Sequence, residues 1–145
     1  MVNQSSKTFL LEIVTPFRKV FSERVSAIVA PGEEGYFGVL PGHTPLLISL
    51  KVGYLKVEQN VTGEEPREFY FAVSGGFAEV LPDSVKIFAE TAEAAPEIDV
   101  KRAEDAKSRA LKRLHEGYKH WDLERARAAL ARAMNRLAVA GRARP

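Results

Sequence analysis

The residues best placed to do chemistry in this chain are arginines near its C-terminal end. Two sets of three follow the same spacing, with steps of seven and then four residues: Arg102, Arg109 and Arg113, then Arg125, Arg132 and Arg136. Such steps return to one face of an α-helix. Because a guanidinium group can donate two parallel hydrogen bonds to a phosphate, the two sets predict an anion-binding cleft between two helices.

The same arginines would also be explained as the outward faces of two amphipathic helices, since arginine is a good helix former. However, Arg132 and Arg136 have no carboxylate within four residues on either side. Residues 97–145 carry 13 Lys/Arg and 7 Asp/Glu, a net charge of +6, whereas residues 1–96 carry 8 and 12, a net charge of −4. This asymmetry indicates an anionic partner for the basic segment, either a phosphate ligand, an acidic protein surface, a nucleic acid or a membrane.

Most residue types that catalytic sites require are missing or scattered. The chain has no cysteine, which excludes disulfides, thiol catalysis and cysteine metal sites. His43, His115 and His120 do not follow a metal-binding spacing, and no Gly-rich phosphate loop of the hydrolase type is present. We therefore expect no enzyme activity and no required metal, and we expect any bound nucleotide to stay unhydrolysed.

Two predicted helices carry the arginines. Asp99 can cap a helix over about 100–115, with Gly117 as its stop, and Asp122 can cap a second over about 123–140, ended by Gly141. The expected apolar faces are Val100, Leu111 and Leu114, flanked by Ala103 and Ala110, and then Leu123, Ala126, Leu130, Ala133, Met134 and Leu137. The short connection predicts an antiparallel hairpin, and its many alanines predict weak hydrophobic attachment, so that it can detach.

The first 90 residues have the pattern of an all-β domain. Short runs rich in β-branched and aromatic residues lie at 9–14, 25–29, 38–40, 46–50, 54–57, 68–73, 77–80 and 85–89. Turn signals between them favour a sandwich or a flattened barrel. We expect a β domain over 1–90, a linker over 91–97 and the hairpin over 98–145. No run approaches the roughly 20 apolar residues of a membrane span, and no signal peptide precedes the domain, which predicts a soluble, unexported protein.

Several stretches resemble one family closely. Residues 38–46 (GVLPGHTPL), 72–80 (AVSGGFAEV) and 82–87 (PDSVKI) are similar to signature stretches of the ε subunits of rotary, F-type ATP synthases, and residues 11–16 (LEIVTP) to their opening strand. The resemblance covers residues 9–140 in the same order and spacing. It implies a flattened, ten-stranded N-terminal β-sandwich followed by a C-terminal antiparallel α-helical hairpin.

The resemblance also implies a place in the central rotor stalk of a bacterial, proton-translocating enzyme. The sandwich would bind the γ subunit and rest on the ring of c subunits, with Tyr36, in a loop, and His43 in the region near the ring. The hairpin would either fold onto the sandwich or extend along γ towards the α and β subunits. There it would meet an acidic segment of β and restrain ATP hydrolysis. The resemblance further implies a monomer when isolated. The absence of a transit peptide favours the cytoplasmic face of a bacterial plasma membrane over an organelle import precursor and leaves a plastid-encoded chain as an open alternative.

Residues 98–103 (IDVKRA) resemble the ATP-binding motif I/L-D-x-x-R-A of bacillus-type ε subunits. The residues that the resemblance assigns to the ATP site are Glu93, Ile98, Asp99, Arg102, Ala103, Arg109, Arg132 and Arg136. Backbone groups near Ile98 and Asp99 would contact the adenine, while Arg109, Arg132 and Arg136 would neutralise the phosphates. ATP would act as a regulatory ligand that stabilises the folded hairpin by mass action.

Two alternatives remain open from the sequence. In the first, the hairpin is a purely mechanical brake that does not sense ATP, and Asp99 is an ordinary helix cap. In the second, the hairpin binds nucleic acid. The second is disfavoured because Tyr118 and Trp121, which could stack on bases, are better explained as anchors of the turn between the helices.

Overall fold

The computed structural model describes residues 7–60 and 62–143, so the outermost limits of the expected domains, residues 1 and 145, lie outside the described residues. The strands are β1 (Phe9–Val14), β2 (Lys19–Val25), β3 (Ala27–Gly32), β4 (Gly35–Val39), β5 (Leu46–Ser49), β6 (Gly53–Gln59), β7 (Arg67–Ser74), β8 (Phe77–Leu81), β9 (Ser84–Phe88) and β10 (Thr91–Ala94). The helices are α1 (Val100–Glu116) and α2 (Leu123–Ala140), with short 3-10 turns at Ala95–Glu97 and Gly141–Ala143.

The strands form two five-stranded sheets. The first sheet has the order β2-β1-β9-β8-β5 and the second has the order β10-β7-β6-β3-β4. Neighbouring strands are antiparallel except β1 and β9, which are parallel. The predicted fold, a ten-stranded β-sandwich followed by two helices, is confirmed for the described residues.

Alternation along the strands builds the core between the two sheets. In β1, for example, Phe9, Leu11 and Ile13 are buried while the residues between them are partly exposed. Burial of such a side chain contributes about 1.5–3 kcal/mol. The main buried cluster runs from Phe9 to Ala92, so its members all belong to the sandwich or its connecting loops.

The sequence did not reveal β2 and β10, and the prediction of a linker at 91–97 is wrong over Thr91–Ala94. These residues pair with β7, and a 3-10 turn follows them. Both strands that were missed lie at an edge of their sheet. Edge strands are often polar or short, because they bury less of their surface and must avoid pairing with other chains. Accordingly, much of β2 is exposed, and β10 has four residues.

The two helices pack together through alanines that the sequence placed on or beside their apolar faces. Ala103, Ala110, Ala126 and Ala133 are each no more than 3% exposed. In contrast, Val100, Leu111 and Met134 are 39%, 48% and 50% exposed. Small side chains let the helices approach closely, and this closeness leaves the larger side chains at the margins of the contact. The assignment of those three residues to the buried face was therefore wrong.

Aspartate caps begin both helices, as predicted. The Asp99 Oδ1 atom accepts from the Arg102 backbone N at 3.0 Å, and Asp122 Oδ1 accepts from Arg125 N at 3.2 Å. Gly117 ends α1 with a positive φ of 87°. The chain continues past α2 as a 3-10 turn, because Gly141 keeps a right-handed φ of −62°. Neither helix has the length and apolar character needed to cross a bilayer.

The hairpin lies on the outer face of the second sheet. Its α2 helix contacts β6 and β7, while α1 packs against α2. Val139 of α2 is 1% exposed and packs with Ala72 of β7 and with Ala95 and Ile98. The structure is therefore that of a hairpin folded onto the sandwich.

Candidate functional site

A cleft of about 390 Å³ opens where β10, the beginning of α1 and the second half of α2 meet. Its lining residues are Glu93, Glu97, Asp99, Arg102, Ala103, Ala106, Arg109 and Arg136. Three arginines and three carboxylates supply both hydrogen-bond donors and acceptors. Six of the eight residues predicted for the ATP site line this one cleft.

Local structure explains why these residues converge. In β10 the alternation of the strand buries Ala92 and turns Glu93 away from the core. The 3-10 turn that follows redirects the chain towards Asp99, where α1 begins. Arg102 and Arg109, seven residues apart, then lie on the same face of α1. The antiparallel return of α2 brings Arg136 to the opposite wall.

Asp99 and Ile98 are engaged in the fold itself. The Asp99 carboxylate caps α1, and capping of this kind stabilises a helix by about 1 kcal/mol. The Ile98 side chain is 7% exposed and packs into the second apolar cluster. It lines a different groove, together with Pro96, Val100 and Leu137. Only the backbone of Ile98, which directly precedes Asp99, is left as a candidate for contact with a ligand in the cleft.

An ion pair crosses the cleft between the sandwich and α2. Arg136 Nε donates to Glu93 Oε1 at 2.6 Å, and the two side chains are 31% and 34% exposed. Partly exposed pairs of this kind contribute about 1 kcal/mol or less to stability. From the sequence Arg136 had no acidic neighbour, because its partner lies 43 residues earlier in the chain.

Arg132 lies outside the cleft. It lines a narrow crevice of about 10 Å³ between α2 and the second sheet, together with Ser74, Thr91 and Asn135. Arg136 lines both spaces. Arg136 of the second set therefore shares the cleft with Arg102 and Arg109 of the first set, whereas Arg132 lies apart from them.

Three residues with a place in or beside the site were not singled out from the sequence. Glu97 and Ala106 line the cleft, and Asn135 attaches α2 to the sheet. The Asn135 Nδ2 atom donates to the Gly53 carbonyl at 2.8 Å and lies 3.5 Å from the Val73 carbonyl. A signal for Asn135 was available, since it is a polar residue within an alanine- and leucine-rich helix.

Tyr36 and His43 do not line the cleft. Tyr36 was expected in a loop but belongs to β4, where its ring stacks on Tyr54 with centroids 4.3 Å apart. His43 lies in the turn between β4 and β5, and its Nδ1 atom is 2.6 Å from the Thr44 carbonyl oxygen. Within the described part of the chain, no three His, Asp or Glu side chains are grouped so that they could hold a metal ion.

Comparison with known proteins places both parts of the chain. Residues 8–95 match the family described as ATP synthase, Delta/Epsilon chain, beta-sandwich domain, and residues 97–141 match its long alpha-helix domain. The ATP synthase epsilon chain of Syntrophobacter fumaroxidans is 54% identical over 130 residues, which cover 90% of this chain and 93% of that one. The epsilon chain of Desulforamulus reducens is 47% identical over 135 residues, covering 93% and 98% of the two chains.

A solved structure is also similar. It is a chain of the Euglena gracilis mitochondrial ATP synthase, determined by cryo-EM as the OSCP/F1/c-ring assembly in rotational state 1. The match has a TM-score of 0.75 and 26% sequence identity, and it covers 90% of this chain and 80% of that chain.

Proposed function

This chain belongs to the delta/epsilon-chain family of ATP synthases, and we propose that it is a non-catalytic subunit of the central stalk whose hairpin binds ATP when folded. Relatives named as epsilon chains match nearly its whole length. The similar Euglena chain comes from an assembly that includes F1 and the c-ring. We infer that the sandwich binds γ and the c-ring, with Tyr36 and His43 near the ring, at the cytoplasmic face of a bacterial membrane.

The observation that supports ATP binding most strongly is the cleft at the root of the hairpin. It joins residues from β10, α1 and α2, so a ligand held there would contact both helices and the sandwich. Arg102, Arg109 and Arg136 would bind the phosphates, and backbone groups around Ile98 and Asp99 would contact the adenine. A ligand that binds only this arrangement stabilises it in proportion to RT ln(1 + [L]/Kd).

Loss of ATP would then favour the opposite state. We propose that the released hairpin extends along γ and that its basic residues meet an acidic segment of β, which restrains ATP hydrolysis. Population shifts of this kind require a ligand that distinguishes the two states. A ligand of the cleft would distinguish the two states, because separation of α2 from β10 would move the lining residues Arg136 and Glu93 apart and so remove the binding site.

Isothermal titration of the full chain with ATP tests the proposal. We expect saturable heat for the wild type and binding at least tenfold weaker for Arg109→Ala, which removes a charge-assisted contact to phosphate. Arg132→Ala should have a smaller effect, because Arg132 lies in the neighbouring crevice. Arg127→Ala is the matched control, since Arg127 is an exposed arginine of α2 outside the cleft lining.

Absence of binding heat at millimolar ATP would refute the nucleotide part of the proposal. The same holds if Arg109→Ala and Arg127→Ala titrate alike, because the binding would then be independent of the cleft.

One observation favours a second candidate, the purely mechanical brake. The Asp99 carboxylate caps α1, and Arg136 is already paired with Glu93, so these two residues of the predicted ATP site have structural roles without any ligand. In this case removal of residues 97–145 would raise ATP hydrolysis by the assembled enzyme, and added ATP would leave the free protein unchanged. A titration with no heat, combined with increased hydrolysis after the truncation, would select this candidate.

A further inference from the structure

Three tyrosines form a row across the outer face of the second sheet, away from the cleft. Tyr36 of β4 stacks on Tyr54 of β6, with ring centroids 4.3 Å apart and an interplanar angle of 22°. The Tyr54 ring lies 5.9 Å from that of Tyr70 in β7. The Tyr36 hydroxyl oxygen also accepts a hydrogen bond from the Tyr54 backbone N at 3.2 Å. The row is thus braced at one end by both a ring contact and a hydrogen bond.

The C-terminal turn of the hairpin, which follows α2, packs on this row of tyrosines. Arg142, in the 3-10 turn that follows α2, places its guanidinium carbon 5.0 Å from the Tyr70 ring centroid and 5.8 Å from that of Tyr54. Its Nη1 atom donates to the Tyr70 hydroxyl at 3.3 Å. A cation within about 6 Å of an aromatic ring is attracted by the negative face of the ring. Arg142 therefore binds two rings and a hydroxyl of the sandwich.

A carboxylate strengthens the same contact. The Tyr70 hydroxyl donates to Glu68 Oε1 at 3.1 Å, so its oxygen becomes a better acceptor for Arg142. Glu68 and Glu58 also lie 3.5 Å and 3.1 Å from Lys56 Nζ. The hydrogen bond from Lys56 to Glu58, followed by the charge of Glu68, raises the pKa of Lys56. Two carboxylates against one ammonium group give these three side chains a formal net charge of −1. The groups around Tyr70 thus favour a bound cation.

We propose that Arg142 and the tyrosine row form a latch that holds the hairpin folded in the absence of nucleotide. The latch is separate from the cleft, because neither Arg142 nor the three tyrosines line it. The latch contacts the sandwich just after the C-terminal end of α2, later in the chain than Val139 and than Asn135, which donates a hydrogen bond to the sheet. Because the cleft and the latch involve different residues, a substitution in the latch can change the stability of the folded hairpin without changing the contacts to a ligand in the cleft. The latch rests on the proposed mobility of the hairpin and does not require ATP binding.

Distance measurements between two spin labels test the latch in the full chain. Because the chain has no cysteine, the exposed residues Lys119 and Ser22 can be replaced by cysteine and labelled without interference. Double electron–electron resonance without nucleotide then gives the ratio of folded to open hairpins. We expect Arg142→Ala to lower this ratio about threefold to tenfold, as the loss of a cation–π contact and a hydrogen bond predicts.

Conservative variants separate the parts of the latch. Arg142→Lys keeps the charge but loses the planar group, and Tyr70→Phe keeps the ring but loses the hydroxyl, so both should fall between wild type and Arg142→Ala. Arg127→Ala is the control for removal of an exposed arginine at the other end of α2. Val139→Asp, which places a charge at a site 1% exposed, should open the hairpin whether or not the latch exists.

Each outcome of the distance measurements supports or refutes the latch. If Val139→Asp opens the hairpin while Arg142→Ala behaves like Arg127→Ala, the latch is refuted. If no variant opens it, the hairpin is immobile, and both the latch and the proposed regulation are refuted. If Arg142→Ala opens it and ATP does not close it again, the latch stands and the ATP-sensing proposal fails.

Discussion

Gly53 is a single residue at which three parts of the structure meet. A Cβ atom placed there would lie 2.6 Å from the Pro31 Cβ atom and 2.6 Å from the Tyr36 hydroxyl oxygen. The Gly53 carbonyl also accepts the hydrogen bond from Asn135 that attaches α2. The absence of a side chain at this residue therefore allows the strands, the tyrosine row and the hairpin to approach one another.

We predict that Gly53→Ala destabilises the protein by about 1–3 kcal/mol, because an added methyl group in a filled space forces backbone and side chains apart. Urea denaturation would measure the change. Gly38→Ala is the matched control, since the nearest atom to a Cβ there is the Ile28 carbonyl oxygen at 3.8 Å. Equal stability of the two variants would contradict the prediction.

The sequence indicated which residues belong to the site better than it indicated the contacts that these residues make. The resemblance assigned six of the residues that line the cleft, and the arginine spacing agrees for Arg102 and Arg109, because a helix fixes which residues share a face. The pairing of Arg136 with Glu93 and the bond from Asn135 to Gly53 could not be derived, because they join residues 43 and 82 positions apart. Such contacts depend on how α2 settles on the sheet, which no local pattern specifies.

The alanine contact between α1 and α2 determines how the hairpin behaves as an element. Ala133 is 0% exposed and Ala110 is 1% exposed, so a larger side chain at either residue would be introduced inside the contact rather than into solvent. The sequence predicted the limits of these helices well, because Asp99, Asp122 and Gly117 are strong local signals. It also placed the alanines of the contact on or beside the apolar faces, but it added Val100, Leu111 and Met134, which are exposed, because a hydrophobic pattern does not show which side chains fit between closely packed helices.

We predict that Ala133→Leu separates α1 from α2 and leaves the sandwich folded. Overpacking of a filled contact costs about 1–3 kcal/mol, which is large for a contact made mainly of alanine. Hydrogen exchange would show faster exchange of the α1 amides with unchanged exchange in β1 and β9. Ala128→Leu, at an exposed position of α2, is the control. Unchanged α1 protection in Ala133→Leu would rule out a tight helix contact.

In the described part of the molecule, two apolar clusters of unequal size hold the fold together, and the sandwich and the hairpin belong to segments of opposite net charge. The larger cluster lies within the sandwich, whereas the cluster that joins the hairpin to it has four buried members, two of them alanines. Residues 1–96 carry a net charge of −4 and residues 97–145 carry +6. The sequence suggested an external anionic partner for the basic segment. In the folded state a nearby acid is Glu93 of the sandwich itself.

We therefore predict two unfolding transitions, with the hairpin lost before the sandwich. Trp121, the single tryptophan, reports on the hairpin, since its Nε1 atom donates to Glu116 at 2.7 Å and Arg113 lies 4.7 Å from its ring. Helices in proteins owe most of their stability to packing of an amphipathic face, so detachment should weaken both α1 and α2. Tryptophan fluorescence and helical circular dichroism should therefore change together at low urea. Tyrosine signals from the sandwich should change later.

Salt provides the test that separates this prediction from simple fraying of the helices. Attraction between the −4 body and the +6 segment is screened when the Debye length falls from about 10 Å at 0.1 M to about 3 Å at 1 M salt. Added salt should therefore move the first midpoint to lower urea and move the second much less, because buried apolar side chains hold the sandwich. A chain truncated after residue 96 should show the second transition alone. Coincident changes of all probes, at every salt concentration, would instead mean that hairpin and sandwich unfold as one unit.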